Sequence, residues 1–152
     1  MRDMYYKKIL GLAEAQVAVQ AIIEEALKDP NRPISVAVAD ERGDVIILTR
    51  MDEARPFFNE RALQKAYTSA TARTDTRKFL QMRLNEEISG DWGTLEPAGT
   101  GRTFIPGGVA IIEPNGIIAY GAIGVSGRTA DEDEALAFVG LKALQNFLWP
   151  PK

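Results

Sequence analysis

The chain contains no cysteine and no histidine. The first absence excludes disulfides, zinc–thiolate sites, iron–sulfur clusters and thiol nucleophiles. The second removes the Ser-His-Asp triad, imidazole acid–base chemistry near neutral pH, and the commonest ligand of haem and transition metals. A metal would have to sit among oxygen ligands, which points to magnesium, calcium or manganese, and no metal site is assigned. Long apolar runs are also missing. No stretch approaches the ~20 residues that a membrane span requires, and Met1-Arg2-Asp3 leads into an amphipathic pattern, not the apolar core of a secretory signal. The expectation is a soluble cytoplasmic protein with no membrane partner. A basic stripe is absent too: the net charge is −3, which argues against nucleic acid, whose phosphates need clustered Lys and Arg.

What is present reads as one domain over residues 1–152, a length that supports a single buried core. From Asp3 to Lys28 apolar residues recur at three- and four-residue steps, the mark of an amphipathic helix, and Asp29-Pro30-Asn31-Arg32-Pro33 stops it. Ile34–Asp40 and Val45–Arg50 are β-branched runs joined by Glu41-Arg42-Gly43-Asp44, a hairpin. Val45-Ile46-Ile47-Leu48 is apolar on successive residues, which predicts a strand covered on both faces. The spacing predicts a helix from Asn59, placed to cap it, to Arg73, and a shorter helix from Thr74. Residues 88–107, punctuated by Gly and Pro, read as a long loop, with Trp92 and Phe104 available as aromatic walls or as pins to the body.

Val109–Glu113 and Ile117–Ile123 flank Pro114-Asn115-Gly116, a strong hairpin signal. Thr129-x-x-Glu132 matches a capping box for a last helix that ends at Pro150. The order helix, hairpin, helices, hairpin, helix predicts an α/β (α+β) domain: an antiparallel central sheet built from two hairpins, with helices packed on it. The segment Gly121-Ala122-Ile123-Gly124-Val125-Ser126-Gly127 reads as a strand, a tight glycine turn and a helix start. Its spacing is not that of a dinucleotide fingerprint, and the carboxylates Asp131 to Glu134 that follow repel a pyrophosphate. Its glycines either let a helix pack closely on the sheet or expose N–H groups, around Gly124 and Ser126, to an anion.

Several of these segments, namely Val36-Ala37-Val38-Ala39-Asp40-Glu41-Arg42-Gly43, Arg50-Met51-Asp52, Lys65-Ala66-Tyr67-Thr68, Gly107-Gly108 and the 121–127 stretch, together resemble the GlcG/HbpS family, which includes the C-terminal domain of PduO-type proteins. The resemblance covers nearly the whole chain. It implies profilin- or PAS-like layering, assembly into homo-oligomers such as octamers, and an association of some members with haem or corrinoids. Two departures stand out: the histidine that some relatives use for haem cannot exist here, and the family's frequent Gly-Gly-x-Pro turn appears as Gly107-Gly108-Val109-Ala110.

Three functions follow as expectations. In the first, a pocket binds a small organic anion and carries out cofactor-independent lyase or isomerase chemistry on an aromatic or hydroxy-carboxylate. Arg50 clamps the carboxylate, Lys65 and Tyr67 exchange protons, and Asp52 or Glu113 serves as a base. Trp92, Phe104, Gly107, Gly108, Gly124 and Ser126 line the pocket, and Phe57 and Phe58 add apolar wall. The alternative reading of Lys65 is an ordinary solvated helix surface. The second function is a haem carrier or sensor, with tyrosine or methionine as axial ligand. The third is an accessory subunit assembled through Val45–Leu48 and Phe147-Leu148-Trp149.

Overall fold

The computed structural model describes residues 3–85 and 101–152; Trp92 lies outside the described residues. The elements are α1 (Leu12–Ala26), β1 (Ser35–Asp40), β2 (Val45–Arg50), α2 (Pro56–Ala72), α3 (Thr76–Leu84), β3 (Gly108–Ile112), β4 (Ala119–Ser126) and α4 (Ala130–Leu148). The strands form one antiparallel sheet in the order β2-β1-β4-β3, so the two hairpins expected from the sequence join through β1 and β4. Among the described residues, no helix is long and apolar enough to cross a membrane.

Side-chain alternation along the strands separates two unlike faces. Val36, Val38, Val109, Ile111, Ile123 and Val125 point to one side and form the main core with α1 and α4. On this side Ile22 of α1 packs against Gly140 of α4, where an added Cβ would lie 2.7 Å from Ile22 Cγ1. The other side is made of small residues, Ala37, Ala39 and Ala122, met by Ala62, Ala66 and Ala70 of α2. These alanines recur every fourth residue and place one face of α2 against the sheet. Gly124 belongs to the same surface: a Cβ there would overlap the Ala62 carbonyl oxygen and lie 2.6 Å from the Ala66 nitrogen. Close helix–sheet packing is therefore what this glycine provides. The segment 121–126 is strand throughout, and the turn before α4 is confined to Gly127, Arg128 and Thr129.

Three expectations need correction. Residues 3–11 are not helical: α1 starts after the N-cap Gly11, and Leu10 is buried ahead of it. Helix α2 starts at Pro56, whose fixed φ and missing donor suit a first turn. Asn59 consequently sits inside that turn, and its side-chain oxygen accepts a hydrogen bond from Ser35 Oγ at 2.6 Å. Strand β2 is an edge, with Val45 and Leu48 exposed, and it is β1, paired on both sides, that is buried on both faces.

The opposite edge, β3, is closed by the α2–α3 connection. Gly108 N donates to Thr76 Oγ1 at 3.0 Å and Ala110 N donates to Asp75 Oδ1 at 2.9 Å. Outward-facing donors that would otherwise template another strand are thus satisfied within the chain. Phe104 stacks on Phe79 of α3, with ring centroids 5.0 Å apart and planes at 17°. It is 3% exposed, so it anchors the chain leading into β3 and does not form a pocket wall.

Candidate functional site

Two charged residues occupy core positions on helices that lie on opposite faces of the sheet. On α2 the buried residues Ala62, Lys65, Ala66 and Ser69 form one stripe, and on α4 Asp133, Leu136, Ala137 and Gly140 form another. Lys65 and Asp133 are each 2% exposed. Lys65 Nζ lies 3.1 Å from Asp133 Oδ2 and donates to the Val125 carbonyl at 2.8 Å. The other carboxylate oxygen, Oδ1, accepts the Arg128 N–H at 2.9 Å. The solvated-surface reading of Lys65 is thereby excluded.

The surrounding backbone is shaped to admit this lysine. Gly107 has φ +131°, and a Cβ there would sit 2.7 Å from Lys65 Nζ and 2.8 Å from the Val125 carbonyl oxygen. At Gly108 a Cβ would fall 2.5 Å from the Lys65 carbonyl oxygen. The adjacent glycines before β3 therefore leave room, one for the amine and one for the helix backbone that carries it. The carboxylate is placed by α4: Thr129 and Glu132 form a reciprocal capping box, which fixes the first turn. Arg128 ties that turn to the end of α1 by donating to the carbonyls of Ala26 and Asp29 at 3.0 and 3.1 Å.

Burial sets the protonation behaviour of the pair. It lowers the affinity of Lys65 for its proton below the ordinary lysine value, against the pull of Asp133, and Arg61 lowers it further. Burial likewise raises Asp133 above the usual carboxylate range, opposed first by Lys65 and then by the Arg128 N–H. The charged forms are each disfavoured, so the energetic gap between ion pair and neutral pair is narrowed. Groups shifted toward each other in this way are placed to exchange a proton with a bound molecule.

A cavity of about 190 Å³ opens onto the pair, and Phe57, Phe58, Arg61, Ile105 and Ser126 contribute to its lining. Arg61 stands one helical turn before Lys65, its guanidinium carbon 5.2 Å from the Phe57 ring centroid, so the rim combines a cation with apolar wall. Ser126 ends β4 on the α2 side of the sheet.

Of the residues singled out from the sequence, the structure brings Lys65, Gly107, Gly108, Gly124 and Ser126 together. It does not bring the others there. Tyr67 is two residues from Lys65, about 200° around the helix, and its ring lies over Gly43. Glu113 follows the far end of β3, roughly 16 Å along the strand from Gly108 at ~3.3 Å per residue, and accepts a hydrogen bond from Tyr120 Oη at 3.3 Å. Arg50 is exposed on the edge strand opposite Ser35, which is itself opposite Ser126; two strand spacings put its Cα ~10 Å from that of Ser126. Asp52 is exposed and lines a separate hollow with Leu27 and Pro30. Asp133 and Arg61 were not singled out, although a charged residue in the apolar register of α4 was a visible signal for the first.

Comparison with known proteins agrees with this architecture. The family model described as "Haem degrading protein HbpS-like" matches residues 10–142. Protein GlcG of Escherichia coli K12 is 34% identical over 123 residues, covering 81% of this chain and 85% of GlcG. An uncharacterized 15.0 kDa protein from the dhaT-dhaS intergenic region of Citrobacter freundii is 32% identical over 133 residues, 87% of this chain and 89% of that protein. Among solved structures, a double mutant of Streptomyces reticuli HbpS superimposes with a TM-score of 0.78 at 28% identity, covering 95% and 94% of the two chains. A PduOC:heme complex gives 0.73 at 23% identity, covering 90% and 95%, a likeness of fold alone. With the family model matched over most of the chain and GlcG 34% identical over 81% of it, the chain belongs to the HbpS-like family, in which GlcG is a relative.

Proposed function

We infer that this protein binds a small organic anion in the Lys65–Asp133 cavity and carries out cofactor-independent proton transfer on it, of the lyase or isomerase type. The observation that supports this reading is the buried pair itself: an amine and a carboxylate 3.1 Å apart among the residues that line a cavity. Both are shifted by burial toward sharing a proton. Arg61 at the rim supplies positive charge for a carboxylate, and Phe57 and Phe58 supply apolar surface for the rest of the ligand. Arg61 takes the clamping role expected of Arg50, and Asp133 the acid–base role expected of Asp52 or Glu113.

The family's description raises haem. Without histidine or cysteine, axial ligation would fall to tyrosine or methionine, and neither lines this cavity. Met51 is buried with its sulfur 3.4 Å from the Ile34 amide, and Tyr120 is engaged with Glu113. At about 190 Å³ the space is also below the ~300–1,000 Å³ of pockets for drug-sized ligands. The residues at this cavity do not fit haem.

The test is a thermal-shift screen with hydroxy- and aromatic carboxylates, since selective binding to the native state raises the melting temperature by mass action. A shift abolished in Arg61→Ala supports the reading. No shift with any carboxylate, alongside a Soret change on haem titration, replaces it with tetrapyrrole binding. Val45 and Leu48, exposed on the β2 edge, are consistent with self-assembly; light scattering tests this, and a monomeric mass rules it out.

A further inference from the structure

Lys65 is an amine that the fold buries, at 2% exposure, among the residues lining the cavity with Phe57, Phe58 and Arg61. Two of the described exposed lysines, Lys7 and Lys28, lie 50% and 74% open to solvent in surface ion pairs. Lys65 is instead fixed by one carbonyl and one carboxylate. Resting on the anion-pocket reading, we propose that the Lys65 amine forms an imine with a short aldehyde or ketone that also carries a carboxylate, such as a 2-oxo acid.

The geometry supplies each element of that reaction. Arg61, one turn (~6 Å of helix rise) before Lys65, is at the rim to receive the carboxylate, which presents the neighbouring carbonyl carbon to the amine. The neutral amine attacks that carbon and a C–N bond forms. In the neutral pair the proton lies on the Asp133 carboxyl, whose Oδ2 is 3.1 Å from Nζ; it passes to the carbonyl oxygen as the C–N bond forms, and the carboxylate then takes a proton from the nitrogen, leaving a carbinolamine. The carboxyl of Asp133 then protonates that hydroxyl, which departs as water; the nitrogen lone pair forms the C=N bond, giving a protonated imine. The overall balance is ammonium plus carbonyl giving protonated imine plus water, with Asp133 returned to carboxylate and no oxidant or reductant consumed. Burial favours the neutral amine that the attack needs. The cavity volume, about 190 Å³, is below that of drug-sized pockets, which favours a small partner.

The experiment treats the full chain with sodium glyoxylate or pyruvate plus cyanoborohydride, which reduces an imine to a stable secondary amine, and locates the adduct by peptide mass mapping. The expected result is modification of Lys65 at least tenfold ahead of the exposed lysines, slowed by excess propionate and lost at this position in Lys65→Met. Asp133→Asn is expected to slow labelling of Lys65 relative to the exposed lysines of the same chain. Mapping on the wild-type chain keeps the result readable even if either variant folds poorly. Labelling confined to exposed lysines, with propionate and pyruvate raising the melting temperature equally, overturns the imine while leaving the anion pocket standing. Absence of both labelling and thermal shift overturns the two together.

Discussion

Removing one member of the Lys65–Asp133 pair is expected to cost far more stability than the pair contributes. At 3.1 Å and an effective dielectric near 20, the attraction is about 5 kcal/mol. Desolvation of two buried charges offsets it by several kcal/mol per ion. The net contribution is therefore small, yet Lys65→Met leaves Asp133 desolvated with only backbone N–H partners, Arg128 and Gly127, and strands the Val125 carbonyl. The expected loss is about 3–5 kcal/mol, or roughly 10 °C in Tm for a chain of this size. Asp133→Asn is expected to lose a comparable amount by stranding the ammonium. The double variant should recover about 2 kcal/mol or more of the summed losses, because neither charge is left alone.

The two single variants should also titrate in opposite senses. In Lys65→Met the folded pKa of Asp133 lies above its unfolded value, so the native state holds the extra proton. Its stability is greatest at acid pH and falls as pH rises from ~3.9 through the folded value. In Asp133→Asn the folded pKa of Lys65 lies below its unfolded value. Stability is then lost as pH falls through the folded value, and recovers toward ~10.4. Urea unfolding of the four proteins between pH 5 and 9 measures both effects. Single variants within about 1 kcal/mol of wild type, or pH slopes of the same sign, would refute the reasoning.

Three further substitutions probe how the site is held. Gly124→Ala forces a Cβ into the α2 backbone at Ala62 and Ala66; because neither neighbour is a flexible side chain, a loss of about 3 kcal/mol is expected in urea denaturation. Thr76→Val removes the acceptor for the buried Gly108 N–H, with an expected loss of about 1–3 kcal/mol and faster amide exchange at Gly108. Thr129→Ala breaks the capping box of α4 and should lower stability by about 1 kcal/mol, visible as a reduced denaturation midpoint with an unchanged slope.

Hairpins, helix order and the capping box of α4 were legible because each rests on local chemistry: Asn115-Gly116 between β-branched runs, Thr129 three residues before Glu132. Pairing partners were not local. Nothing in Val45–Leu48 says that β2 would be the edge while the less bulky β1 lies at the centre, since that depends on which strands β4 can reach. The start of α1 was misjudged because the apolar pattern continues upstream of Gly11 while the helix does not. At the site, Lys65 and the glycines came from short motifs, but Tyr67 was grouped with Lys65 by sequence adjacency, which a helix turns into opposite directions. Asp133 was hidden in a run of acids, three of which suit a helix start equally well; its place in the stripe with Leu136, Ala137 and Gly140 distinguishes it.

The alanine and glycine surface between α2 and the sheet has a consequence for how such a protein can diversify. Where a helix is seated by large interlocking side chains, altering one of them shifts the helix and everything it carries. Here the seat is nearly backbone on backbone, so the height and rotation of α2 are indifferent to Phe57, Phe58 and Arg61, which project from its opening turns. Selection can exchange those three for other shapes and charges while the amine at Lys65 stays where it is, so new ligands can be acquired without rebuilding the reactive centre.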